Sequence, residues 1–79
     1  MLVSSQVRAA RTAVGWTSAE LGREAGVAAR TILRIEADEG VPNTKASTLA
    51  KIQTALEAAG IEFIGTPDDG PGIRIRPAR

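Results

Sequence analysis

Two short segments with helical spacing, joined at Gly26, constrain the fold of this chain more than any other feature. Thr17-Ser18-Ala19-Glu20 has the spacing of a capping box, which predicts that a helix starts within it. Gly26 is placed to end that helix, because glycine adopts the positive φ that a tight turn needs. A second short helix is expected over about residues 28–37. The small residues Gly22 and Ala25 predict that the two helices cross closely.

Helical periodicity predicts one further helix on each side of this pair. Ser4 or Ser5 is placed to cap the first of them, and Gly15 is placed to end it. The last helix is expected to end at Gly60. Its apolar residues recur at i, i+3, i+7 and i+10, as Leu49, Ile52, Leu56 and Ala59.

After Gly60 the apolar residues change to the alternation that is typical of strands. Residues 61–64 and 73–76 predict two short strands, and the Gly, Pro and Asp residues over 65–72 predict a long loop between them. We therefore expect a mainly α fold. Residues 1–60 form its helical domain, and residues 61–79 form a β-hairpin tail.

The composition argues against catalysis and against bound metals. The 79 residues correspond to one domain, and they include neither cysteine nor histidine. Disulfides, thiolate metal sites and the usual general base at neutral pH are therefore excluded. Asp68-Asp69 is typical of a turn, and no Lys-Ser/Thr follows Gly70-Pro71-Gly72 as a phosphate loop requires. The sequence predicts no enzyme, no metal and no cofactor.

Residues 16–36 read WTSAELGREAGVAARTILRIE and resemble the helix-turn-helix of the Cro/C1-type (XRE family) repressors. The likeness covers roughly residues 5–60, and the tail is similar to the C-terminal hairpin of a short bacterial subgroup. The resemblance implies a lambda-repressor-like domain of four to five helices that binds double-stranded DNA and regulates transcription. No apolar run is long enough to cross a membrane, so we expect a bacterial cytoplasmic protein associated with the nucleoid.

The resemblance assigns base contacts to the helix over residues 28–37. In relatives, the edges of base pairs are faced by the positions of Ala28, Ala29, Arg30 and Arg34. Arg30 and Arg34 are four residues apart and share one helix face, opposite Ile32. An arginine that binds guanine O6 and N7 discriminates between bases by about 1–3 kcal/mol. Outside this motif, two such arginines would indicate only a solvated helix face.

The resemblance also implies contacts with DNA phosphates, from Ser18, Thr31, Asn43, Thr44 and Lys45. Relatives commonly have Gln at the position of Ser18, which either caps its helix or donates to a phosphate. Arg11 and Glu36 match a pair that forms an internal salt bridge in relatives, so we expect them to fix the angle of the recognition helix.

The tail is predicted to form a dimer interface, because an isolated hairpin is marginally stable and its apolar face needs a cover. The residues expected there are Ile61, Phe63, Ile73 and Ile75. A homodimer would place two recognition helices in successive major grooves about 34 Å apart, on a pseudo-palindromic operator. The competing interpretation is a hairpin folded back on its own helices. A further interpretation is that Arg74, Arg76 and Arg79 form a basic tail that adds non-specific affinity for nucleic acid.

Two functions remain open on this fold. The first is a sequence-specific repressor or autoregulator that acts on DNA. The second is a protein-interaction module on the same fold, either an antitoxin whose tail binds a toxin or an antiactivator that has lost DNA binding.

Overall fold

The computed structural model describes residues 2–76, so the prediction for Arg79 lies outside the described residues. Within this range, four helices precede a two-stranded antiparallel sheet. The elements are α1 (Ser4–Ala13), α2 (Ser18–Ala25), α3 (Ala29–Ala37), α4 (Ala46–Ala58), β1 (Ile61–Thr66) and β2 (Asp69–Ile75). The mainly α fold with a C-terminal hairpin is confirmed. Among the described residues, no helix is long and apolar enough to cross a bilayer.

The core lies where the four helices meet. The stripe predicted on α4 is buried at Leu49, Ile52 and Leu56, whereas Ala59 caps the helix and is half-buried. Every helix contributes a fully buried apolar side chain. The largest of these are Val7, Leu21, Ile32, Ile35, Ile52 and Leu56.

Helix α2 begins at the predicted capping box. The backbone N–H of Glu20 donates to Thr17 Oγ1 at 3.1 Å, and the N–H of Thr17 donates to Glu20 Oε1 at 2.8 Å. The helix ends at Gly26, which has the left-handed φ of 71°. The N–H of Val27 then donates to the carbonyl oxygen of Gly22 at 2.8 Å. These bonds fix the turn between α2 and α3.

Gly22 lies at the point where this turn folds back on α2. A Cβ at this position would collide with the carbonyl oxygen of Val27 and would lie 3.4 Å from the backbone nitrogen of Ala29. Glycine inside a helix costs about 1 kcal/mol relative to alanine. The close backbone approach explains why glycine is present here despite its lower helix propensity, since a side chain would not fit.

The start of α1 differs from the prediction. Neither Ser4 nor Ser5 caps the helix, because Val3 is its N-cap and both serines lie inside it. The N–H of Val3 instead donates to Gln6 Oε1 at 2.9 Å. The glutamine three residues into the helix therefore satisfies the N–H of the N-cap residue, and no serine side chain caps α1.

The strands continue through most of the segment that was predicted to be a long loop, and that prediction is wrong. Only Pro67 and Asp68 connect β1 to β2. Gly65 and Pro71 are loop residues by type, but a two-stranded sheet accommodates both. Gly65 lies at the irregularity in the strand register with a φ of 77°. Pro71 is tolerated because many backbone N–H groups of a two-stranded sheet have no partner strand.

The hairpin packs back on its own helices, as the competing interpretation proposed. Ile61 is 3% exposed and belongs to the core, and Phe63 and Ile73 are partly buried against that core. Ile75 is 63% exposed. Ile61 is therefore inaccessible to a second subunit in this fold, because its own helices already cover it.

Gln6 joins the hairpin to the first helix. Its Nε2 donates to the carbonyl oxygens of Ile64 at 3.2 Å and of Gly72 at 2.8 Å, one on each strand. The side chain is buried and also accepts from Val3. A buried amide that satisfies backbone groups on three segments holds them together, since leaving those groups unpaired costs free energy.

We predict that Gly22→Ala destabilises the protein by about 1–3 kcal/mol, because the added methyl group forces the α2–α3 turn to move. Helix propensity alone predicts the opposite sign. The measurement is urea denaturation. The matched control is Gly72→Ala, whose Cβ would meet Ile64 at an ordinary 3.5 Å. Equal stability of Gly22→Ala and the unsubstituted protein would contradict the close approach.

Candidate nucleic-acid interface

Helix α3 has one face in the core and one face in solvent. Ile32, Ile35 and Glu36 are buried. Arg30 and Arg34 are exposed on the opposite side, as their spacing predicts. Ala28 is the exposed N-cap residue, and Ala29 is the half-buried first residue of the helix. Leu33 and Ala37 complete the exposed face.

The expected ion pair between Arg11 and Glu36 is present and supports α3 on the side that faces α1. Arg11 Nε donates to Glu36 Oε2 at 2.7 Å, and Arg11 Nη2 donates to Glu36 Oε1 at 2.9 Å. Arg11 Nη1 also donates to the carbonyl oxygen of Trp16 at 2.8 Å. Hydrogen bonding to Glu36 raises the pKa of Arg11 further above its already high value. Glu36 is 7% exposed, so this bidentate pair ties the end of α3 to α1 inside the fold.

Five of the predicted DNA-contacting residues line one open depression of about 590 Å³ between α3 and the start of α4. They are Thr31, Arg34, Asn43, Thr44 and Lys45. Thr48 also lines the depression and was not predicted. It lies three residues after Lys45, and this spacing, which puts both on one helix face, is the signal that would have found it. Hydroxyl groups and two cations together match the hydrogen-bonding needs of a phosphate.

Arg34 connects the exposed face of α3 to the loop that precedes α4. Its Nη1 donates to the carbonyl oxygen of Asn43 at 3.0 Å. Arg30 makes no hydrogen bond and no ion pair with any residue from 2 to 76. The two arginines therefore differ in the free protein, because Arg34 already forms a hydrogen bond to the loop, whereas Arg30 forms none with residues 2–76.

The geometry described above is that of a helix-turn-helix in which α3 is the exposed second helix. The Helix-turn-helix family model matches residues 7–60, from α1 through the end of α4. This chain belongs to the Cro/C1-type helix-turn-helix family. Its members bind DNA and regulate transcription, so the chain is a DNA-binding helix-turn-helix regulator. A search of curated proteins returned no match to the chain.

In this helix-turn-helix regulator, Ser18 does not cap α2. Thr17 is the N-cap residue, and its hydroxyl group accepts the capping hydrogen bond. Ser18 is the first residue of the helix and is half-buried. Its side chain forms no hydrogen bond with residues 2–76, and it does not line the depression beside α4. Of the two roles considered for Ser18, the capping role is therefore wrong.

Asp38 orders the loop of the regulator that carries three of the predicted phosphate contacts. Its Oδ2 accepts from the N–H of Asn43 at 3.0 Å, and its Oδ1 accepts from the N–H of Glu39 at 3.1 Å. The hydrogen bond from Asn43, then that from Glu39, lowers the pKa of Asp38, and the charge of Arg34 lowers it slightly further. Sequence reasoning missed this role, although aspartate commonly bonds nearby backbone N–H groups in turns.

The regulator's interface offers cations and hydrogen-bond donors. Among the residues that the structure describes, no group of three or more acidic side chains is placed to hold a metal ion. Arginine, lysine, threonine and asparagine side chains bind nucleic-acid phosphates and base edges without forming covalent bonds.

We predict that Asp38→Asn destabilises the regulator at pH 7 and that the difference shrinks as the pH falls. The native pKa of Asp38 lies below its unfolded value, so its stabilising effect is present above the unfolded pKa, near 3.9. That effect is lost as the pH falls through the native pKa, because the native carboxylate then takes up its proton. The measurement is thermal or urea unfolding from pH 7 to about pH 3.

The control for this experiment is Asp68→Asn in the hairpin turn, since the Asp68 side chain forms no hydrogen bond with residues 2–76. A pH-independent difference between Asp38→Asn and the unsubstituted protein would show that the loop does not depend on the Asp38 charge.

Proposed function

We propose that this regulator is a sequence-specific repressor or autoregulator that inserts α3, from Ala28 onward, into the major groove of double-stranded DNA. The observation that carries the proposal is the exposed face of α3, which holds Arg30 and Arg34 directly opposite the buried Ile32 and Ile35. An α-helix fits the major groove, where each base pair presents a distinct pattern of donors and acceptors.

Base reading is assigned first to Arg30. Its guanidinium is exposed and makes no bond within residues 2–76, so it is available to guanine O6 and N7. Ala28 and Ala29 have short side chains that let the start of α3 approach the bases, and their methyl groups are suited to thymine. Arg34 lies on the same exposed face, at the edge that borders the depression. We assign it a base contact close to the DNA backbone.

Backbone binding is assigned to the depression between α3 and α4. Thr31, Asn43, Thr44 and Lys45 supply donors there, and Lys45 is also the N-cap residue of α4. The positive end of the α4 dipole adds to their attraction for a phosphate. Ser18, at the first turn of α2, is assigned a separate phosphate. The net charge is only +1, so affinity depends on where these groups lie rather than on the overall field.

We predict that Arg30→Ala abolishes most of the preference for the operator. Operators are first obtained by selection from randomised duplexes, and affinity is then measured by fluorescence anisotropy against a scrambled duplex over a salt series. Losing one bidentate contact reduces discrimination by about 1–3 kcal/mol. The matched control is Lys51→Ala, which removes an exposed cation of α4 that lies outside the depression. Specific binding that survives Arg30→Ala would contradict the role of Arg30. Failure to select any sequence would favour a protein-interaction module.

We also propose that the regulator acts as a homodimer on a pseudo-palindromic operator. The hairpin supports this proposal, because Ile75 is 63% exposed beside the partly buried Phe63 and Ile73, and the two-stranded sheet has free edges. The proposed interface comprises these three residues without Ile61, which the protomer itself buries. Two copies of α3 would meet grooves about 34 Å apart.

We predict that the unsubstituted protein sediments as a dimer at micromolar concentration and that Ile75→Glu converts it to a monomer. A buried carboxylate without a partner is costly at an apolar interface. Val41→Glu, at an exposed apolar residue of the α3–α4 loop, is the control and is expected to leave the dimer intact. A monomeric unsubstituted protein would rule out the dimer at that concentration.

A further inference from the structure

Leu33 is a large apolar side chain on the exposed face of the recognition helix. It is 58% exposed, whereas the neighbouring Ile32 and Ile35 are fully buried. Single exposed leucines are common on protein surfaces. Leu33, however, lies among the residues to which we assign DNA contacts, and this position indicates a functional role.

The helical geometry puts Leu33 within the DNA-facing surface. At 3.6 residues per turn, Leu33, Ala37, Arg30 and Arg34 fall within an arc of about 100°. This arc is opposite Ile32 and Ile35, which point into the core. Leu33 lies on one side of Arg30, and Arg34 lies on the other. A helix that brings Arg30 to a base edge therefore also brings Leu33 to the groove.

We propose that Leu33 is a specificity-determining residue that recognises the C5-methyl group of a thymine next to the base pair read by Arg30. The inference rests on the proposed function, because it requires α3 to lie in the major groove. Leucine has no hydrogen-bond donor or acceptor, and the thymine methyl is the apolar group that the four bases present in that groove. Leu33 thus favours thymine over cytosine, because C5 of cytosine carries no methyl group for it to contact.

The charges around Leu33 favour DNA over an apolar protein surface as its cover. Arg30 lies beside it and Arg34 lies beyond Arg30 on the same exposed face, and both arginines would lose hydration without compensation against an apolar partner. A DNA groove supplies acceptors for the arginines and a methyl group for the leucine at the same time. A DNA duplex can therefore supply partners for both arginines and for the leucine on this helix face.

The test replaces each thymine of the selected operator, one at a time, with uracil, which removes one methyl group and leaves base pairing unchanged. Thymines that face Ala28 or Ala29 are expected to be sensitive to uracil in every variant. At the thymine next to the base pair read by Arg30, we expect uracil to weaken binding about fourfold, because burying one methyl-sized group contributes about 0.8 kcal/mol. Leu33→Ala is expected to bind the thymine and uracil operators equally at that position. Restoring the methyl group, with 5-methylcytosine in a guanine-paired variant of the site, is expected to strengthen binding only when Leu33 is present.

Leu33→Ala removes an exposed side chain and introduces a strong helix former, so the variant is expected to fold. Val41→Ala, at the exposed apolar residue outside the α3 face, is the matched control and keeps the discrimination. Operators without a methyl-sensitive thymine would overturn the proposal, as would discrimination that persists at every position in Leu33→Ala. If Arg30→Ala still abolishes specific binding in that case, the proposed function stands and only the role of Leu33 is wrong.

Discussion

The bidentate bond between Arg11 and Glu36 is the constraint on which the DNA-facing surface depends. Helix α3 has 9 residues, and a helix of that length is unstable alone, so its direction is set by what holds it. Ile32 and Ile35 attach its middle to the core, while Glu36 attaches its last turn to α1. At the other end, the Gly22–Val27 hydrogen bond fixes where the helix starts. A helix fixed at both ends presents its outer side chains in a constant geometry, which base reading requires because hydrogen bonds weaken steeply with misalignment.

The hairpin belongs to the structural core as much as to any interface. A chain of this length buries a modest fraction of its surface, so each additional apolar residue in the core matters. Ile61 enters that core directly after α4, and Gln6 binds a carbonyl group on each strand. The hairpin therefore contributes to the stability of the helices that carry the DNA-facing groups. Among the described apolar residues of the hairpin, Ile75 is the one that remains largely exposed, because the protomer covers Ile61 fully and covers Phe63 and Ile73 in part.

The sequence predicted those features that local rules control. The capping box at Thr17 and the turn at Gly26 follow from residue type and spacing, whereas the pairing of Arg11 with Glu36 was implied by the family resemblance alone. The failures arose where distant segments decide the outcome. Ser4 is a good cap by type, but it lies inside α1, where Gln6 binds both the N–H of the N-cap residue Val3 and the two strands of the hairpin. The Gly and Pro residues of β2 indicated a loop because nothing local shows that β1 pairs with them.

Arg34 connects the exposed face of α3 to the loop before α4, so the base contacts and the phosphate contacts that we propose are interdependent. Its guanidinium binds the carbonyl oxygen of Asn43, while the N–H of the same residue binds Asp38. The loop that offers Lys45 to a phosphate is thus ordered by two side chains from the end of α3 and just beyond it. A guanidinium has five donors, so Arg34 can keep its bond to the loop while it uses others toward DNA. Replacing Arg34 would disturb the loop as well as the base contact that we propose for it, whereas Arg30 and Leu33 do not line the depression. Under the proposed function, changes at positions 30 and 33 therefore alter sequence preference and leave the phosphate-binding groups in place, whereas a change at position 34 affects both.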